Sequence, residues 1–117
     1  MRNISFFLTE HQFLNDSKDI TRRLGWINLQ PGDRLMACRK CQGIRPGESI
    51  VRLGPIEILD ARREPLNRMI EDADYGRIEA IREGFPELTG EAFVQLFCLH
   101  MKSDPADIIT RIHFRKI

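Results

Sequence analysis

Apolar and polar positions alternate most cleanly over residues 56–62 (Ile56-Glu57-Ile58-Leu59-Asp60-Ala61-Arg62), the pattern of a strand with one wet face. Residues 4–8, 34–38 and 50–53 also read as strands, the last parted from 56–62 by Gly54-Pro55. A short helical stretch is expected over residues 9–15. In Leu29-Gln30-Pro31-Gly32-Asp33 proline presets φ and glycine accepts a positive φ, which predicts a turn. Residues 43–47, with Pro46, read as a loop.

Beyond Pro65 the period changes. Leu66, Met69 and Ile70 recur at helical spacing, as do Ile78, Ile81 and Arg82. A third helix is the best signalled, with Thr89 as N-cap and Phe93, Leu96, Phe97 and His100 along one stripe. Asp104-Pro105 stops it, and residues 108–114 return as a terminal strand. Strands, a helical insertion and a returning strand predict an α+β domain spanning residues 1–117, with a mixed, mostly antiparallel, barrel-like sheet. There is no internal repeat and no flexible linker.

Composition narrows the class. A chain of 117 residues can bury one core but not two, and 42% apolar with 30% charged residues excludes disorder. No apolar run has the length to cross a bilayer, and residues 1–8 are too short for a signal peptide, so no membrane partner is expected. Three cysteines make no disulfide framework, which points to a cytoplasmic protein with reduced thiols. The sequence leaves the oligomeric state open between monomer and weak dimer. No Gly-rich phosphate loop, serine-hydrolase elbow or kinase signature is present.

The net charge of +1 argues against indiscriminate coating of nucleic acid, but its distribution is uneven. Arg22, Arg23, Arg34, Arg39, Lys40, Arg45, Arg52, Arg62 and Arg63 lie between residues 22 and 63, and Glu71, Asp72, Asp74, Glu79, Glu83, Glu87 and Glu91 between residues 71 and 91. A local basic surface is one reading; solvated arginines on exposed strand faces are the other.

Chemistry concentrates in Lys18-Asp19-Ile20-Thr21-Arg22-Arg23, followed by Gly25-Trp26. Arg22 and Arg23 suit a polyanion, on opposite faces of a strand, so that one can pair internally while the other meets ligand phosphate. Trp26 can stack on a base or anchor a core. A second constellation is Cys38-Arg39-Lys40-Cys41-Gln42-Gly43 with Cys98 and His100 downstream. The four side chains have the composition of a tetrahedral zinc site, but on a helix Cys98 and His100 diverge by roughly 200°. No cofactor is therefore expected, with zinc at Cys38, Cys41, Cys98 and His100 as the alternative.

Several segments together resemble the ASCH (activating signal cointegrator homology) domain of the PUA-like superfamily, in its short bacterial and prophage form. They are Lys18-Asp19-Ile20-Thr21-Arg22-Arg23, Leu29-Gln30-Pro31-Gly32-Asp33, Arg63-Glu64-Pro65-Leu66, Glu83-Gly84-Phe85-Pro86 and Thr110-Arg111-Ile112-His113-Phe114. They run in the family's order and cover nearly the whole chain. The resemblance implies a PUA-like β-barrel with peripheral helices and a cleft for RNA or a modified nucleoside, with Lys18, Arg22, Arg23, Trp26 and Arg63 as nucleic-acid contacts. It also implies an amidohydrolase acting on N4-acetylcytidine, with Thr21 as nucleophile, Lys18 as base and Glu83 as acid or orienter. A metal-independent ribonuclease in the same pocket is a further alternative.

Two positions depart from the family pattern: Asp16 replaces a usual glycine and Asp19 a common threonine. Carboxylates flanking Lys18 are expected to raise its pKa, against a neutral base. A threonine hydroxyl is inert unless a neighbour takes its proton, and lysine does so only when burial lowers its pKa. On a flat strand Lys18 and Thr21 would point to opposite faces, so the mechanism predicts irregular backbone between them. The plainer roles are a phosphate contact for Lys18, a strand former for Thr21 and a helix-end residue for Glu83 before Gly84.

Overall fold

The computed structural model describes residues 1–117. Five strands form one mixed sheet: β1 (Arg2–Ser5), β2 (Ile20–Arg23), β3 (Arg34–Cys38), β4 (Arg52–Pro65) and β5 (Ile108–Lys116). Their order is β1-β3-β4-β5-β2, with β1 and β3 parallel and all other pairs antiparallel. The sheet curls into a half-barrel, an α+β architecture consistent with a PUA-like barrel. Helices α1 (Glu10–Leu14), α2 (Arg68–Glu71), α3 (Ala73–Arg82) and α4 (Gly90–Met101) complete it. No helix is long and apolar enough to cross a membrane.

The two strands expected on either side of Gly54-Pro55 are one strand, β4. Pro55 sits at the end of the β4–β5 ladder, one residue beyond the Ile56–Lys116 pair, and takes part through its carbonyl, which accepts from the Ile117 N–H at 3.2 Å. The first strand is also earlier than expected, ending at Ser5; the Phe6 N–H still pairs with the Cys38 carbonyl before the chain turns.

One core cluster lines the sheet and α1, with Phe6, Phe13 and Phe114 in mutual contact beside Ile4, Leu35, Ile56, Ile58 and Ile112. The other joins the helices to the sheet through Leu66, Met69, Ala80, Phe93, Val94, Phe97 and Ile109. Thr89 caps α4 as expected, its hydroxyl accepting from the Ala92 N–H at 3.1 Å.

Helix α3 does not bury the face its isoleucines predict. Ile78 and Ile81 are exposed, while Gly76, Glu79 and Ala80 are buried. A β-carbon on Gly76 would lie 2.9 Å from the Gly90 Cα, so α3 and α4 meet at bare backbone. The buried carboxylate of Glu79 is tolerated because arginines from the sheet satisfy it, as follows.

Candidate functional site

The open side of the half-barrel lies between its edge strands β1 and β2, with α4 alongside. A cleft of about 680 Å³ occupies it, lined on one wall by Lys18, Thr21, Arg22, Arg23 and Glu83 and on the other by Phe85, Phe93, Leu96, Phe97 and Met101. Lys18, Thr21, Arg22, Arg23, Glu83 and Trp26, six residues singled out in the sequence, thus share one concavity.

Lys18 lies two residues before β2, outside the strand. The next residue, Asp19, donates its N–H to the Arg82 carbonyl at the end of α3 and accepts from Phe114 through its own carbonyl. The chain therefore enters the strand already tied to both α3 and β5. Lys18 is buried, and its ammonium donates to the Glu83 carboxylate at 3.0 Å and to the Glu83 carbonyl at 2.8 Å. Glu83 is the C-cap of α3; Gly84, at φ 103, turns the chain away in the left-handed conformation expected of the residue after a helix.

Burial lowers the Lys18 pKa; the Glu83 carboxylate opposes the shift, and the Arg23 and Arg22 charges reinforce it. Asp16 and Asp19, expected to raise it, are engaged elsewhere. Asp16 pairs with Lys116 at 2.8 Å, and Asp19 with Arg82 at 2.8 Å and His113 at 3.3 Å.

Arg22 and Arg23 take different partners, and both are protein groups. Arg22 pairs internally, with Glu79 at 2.7 Å, Glu83 at 3.1 Å and Glu64 at 3.2 Å. Desolvation opposes its charge, but Glu83 and Glu79 outweigh it, so Arg22 stays protonated. Arg23 donates from Nε to the Thr21 hydroxyl at 3.0 Å and from its terminal nitrogen to the Ser5 carbonyl, bridging the two sheet edges. Burial pulls the Arg23 pKa down to about 10, partly offset by Glu83.

Other residues of interest lie apart. Arg63 is outside the cleft, donating to Thr110 Oγ1 at 2.9 Å, the Gly25 carbonyl at 3.2 Å and the Ile108 carbonyl at 3.3 Å. Cys41 and His100 line the cleft, but Cys98 packs against the helical core. Because α4 runs on to Met101, Cys98 and His100 diverge; no group of three or more His, Cys, Asp or Glu side chains is placed to hold a metal ion. That removes the four-residue zinc reading.

Sequence reasoning missed Glu79, Glu64, Tyr75 and Arg111. Glu79 carried a signal: it stands four residues before Glu83, so both carboxylates share one face of α3. Arg111 donates to both Glu79 oxygens, at 3.1 Å for the longer contact. Burial works to raise the Glu79 pKa, but Arg111 and Arg22 prevail and hold it at about 2.

No family model matches the chain, and no curated protein matches it. Among solved structures, protein EF3133 from Enterococcus faecalis V583, of family DUF984, aligns with all of this chain and 76% of its own, with a TM-score of 0.67 at 11% identity. At that identity the likeness shows a shared fold.

Proposed function

We propose that the chain is an ASCH-type domain that binds a modified nucleoside in this cleft and hydrolyses an exocyclic N-acyl group on its base, as in N4-acetylcytidine. One observation carries this reading: the buried Lys18 ammonium, held against Glu83, shares the cleft with the Thr21 hydroxyl. The cleft volume of about 680 Å³ suits a small molecule, and its aromatic wall suits a base. Phosphate-backbone binding is less well served, because the terminal nitrogens of Arg22 are already paired with three carboxylates.

Neutral Lys18 takes the Thr21 proton while Oγ1 adds to the acyl carbonyl carbon. The Arg23 guanidinium, 3.0 Å from Oγ1, stabilises the negative charge that develops beside it. The C–N bond then breaks, the departing amine takes the proton from Lys18, and acyl-Thr21 remains. Water, deprotonated by Lys18, adds to this ester; the C–O bond breaks, Thr21 recovers its proton and acetate leaves. Glu83 orients Lys18 throughout.

The test is chromatography of N4-acetylcytidine after incubation with wild type, Thr21→Ala and Lys18→Ala. Cytidine and acetate from wild type alone support the reading. No product at high protein concentration overturns hydrolysis of this substrate, leaving nucleoside or RNA binding as the cleft's task.

A further inference from the structure

Cys38 and Cys41 have no part in the proposed hydrolysis, yet one of them faces the cleft and the other lies behind it. Cys38 ends β3 and is fully buried. Its carbonyl accepts from the Phe6 N–H at 2.8 Å, its thiol donates to the Met36 carbonyl at 3.5 Å, and it stands opposite Arg52 on β4. Cys41, three residues on, is half-buried and lines the cleft. Both thiols are free, and they lie within hydrogen-bonding reach of one another.

Their surroundings differ in a way that assigns roles. Burial pushes the Cys38 thiol up, and the neighbouring Cys41 adds to the rise. Cys41 lies within electrostatic reach of the Arg23 guanidinium, with Lys40 beside it on the cleft wall. A partly exposed thiol near cations, with a second thiol close by, has the setting of an attacking cysteine and its resolving partner. Cys98 is the contrast. It packs against the helical core, where burial and then Asp104 and Asp107 push its thiol up.

The backbone between the pair can close a bond. The chain bends at Arg39 and again over residues 41–43, and no backbone N–H or carbonyl of residues 40–44 is hydrogen-bonded within the protein. Cys38 cannot leave β3 without breaking its ladder, so a disulfide forms by movement of Cys41 inward from the cleft wall. Lys40 and Gln42, which line the cleft on either side of Cys41, move with it.

We propose that Cys38 and Cys41 form a reversible redox site that exchanges with a low-molecular-weight disulfide such as oxidised glutathione, and that oxidation reshapes the cleft wall. The Cys41 thiolate attacks one sulfur of the glutathione disulfide. That S–S bond breaks, and the first glutathione leaves as a thiolate that takes up the proton Cys41 lost. The Cys38 thiolate then attacks the Cys41 sulfur of the mixed disulfide, and the second glutathione leaves and takes up the Cys38 proton. Two protein thiols are oxidised while one disulfide is reduced to two thiols. An effect on turnover rests on the nucleoside reading above; the dithiol chemistry does not.

The test equilibrates wild type and Cys41→Ser with mixtures of reduced and oxidised glutathione, alkylates the remaining thiols under denaturing conditions and maps the peptides by mass spectrometry. Wild type should carry a Cys38–Cys41 disulfide with Cys98 still alkylated. In Cys41→Ser, a change in a loop, Cys38 should stay a thiol. Turnover of N4-acetylcytidine by oxidised wild type should fall about threefold or more and return with dithiothreitol, whereas Cys41→Ser should be indifferent to the oxidant.

Wild type that keeps all three thiols, or that takes glutathione on Cys98 as readily as on Cys41, overturns the redox site. A disulfide that forms with turnover unchanged overturns its coupling to the cleft. A disulfide in a protein that turns over no N4-acetylcytidine in either state supports the redox site and overturns the hydrolytic reading.

Discussion

Arg22 and Arg111 stand directly opposite one another in the β2–β5 pairing, and both donate to the carboxylate of Glu79. Arg62 is the register partner of Arg111 on β4, so three arginines form a row across three strands. Like charges in such a row repel. Helix α3 answers them with Glu79 and Glu83, while Glu64 binds Arg22 and Arg62. Arg22 of the basic 22–63 stretch and Glu79 and Glu83 of the acidic 71–91 stretch thus meet inside the fold.

Removing Glu79 leaves two opposed, buried guanidinium groups without their shared acceptor. Glu79→Gln should destabilise the protein by about 3–5 kcal/mol, the range for breaking one side of a buried ion pair. Urea unfolding measures it. A loss below about 1 kcal/mol would show that water or rearranged acids replace Glu79.

The same carboxylate fixes the sign of an acid transition. The Glu79 pKa is about 2 in the folded chain against an ordinary 4.5, so below 4.5 the unfolded chain binds the extra proton. Its contribution is fully present above about pH 4.5 and is lost as pH falls toward 2. Stability measured by chemical unfolding should therefore hold through neutral pH and decline across that window. In Glu79→Gln the decline should be shallower.

The proposed hydrolysis carries a separate pH signature. Lys18 acts when neutral, so the rate should rise with pH through its folded pKa, which burial places below 10.5. The Glu83 charge favours the protonated lysine, so Glu83→Gln should move the inflection to lower pH, with a lower plateau because the single glutamine oxygen can accept from only one of Lys18 and Arg22. A kcat/KM profile checks both. An inflection that stays in place would assign the ionisation to another group.

Much of this was legible in the chain, and what was not has physical causes. The Thr89 cap, the Gly84 helix end and the separation of Arg22 from Arg23 follow from local rules acting over a few residues. The buried face of α3 was misread because Ile78 and Ile81 outrank Glu79 on any hydrophobic scale, and only arginines 57 and 32 residues away make Glu79 a core residue. Arg63 looked like a surface cation for the same reason: the carbonyls that hold it come from distant turns and strands. Continuity of β4 through Pro55 depended on where β5 runs out, again non-local. The clustering of Lys18, Thr21 and Glu83 was implied by family resemblance, since 65 residues separate the lysine from the glutamate.

The meeting of α3 and α4 gives a sharper mutational contrast. A β-carbon at Gly76 would come within 1.9 Å of the Met69 carbonyl oxygen and 2.9 Å of the Gly90 Cα, both of them backbone. Neither can yield as a flexible side chain would, so Gly76→Ala must push α3 off α2 and α4. Overpacking of this kind costs about 1–3 kcal/mol or more, which exceeds the sub-kcal/mol gain in helix propensity from glycine to alanine. Ile78, two residues on and 57% exposed, is the control: Ile78→Ala should change stability by no more than about 0.5 kcal/mol. Because Glu83 caps the same helix, Gly76→Ala should also reduce hydrolysis beyond the unfolded fraction, whereas Ile78→Ala should not. Thermal unfolding and turnover on the same preparations separate the two effects, and an alanine at position 76 as stable as wild type would refute the close approach.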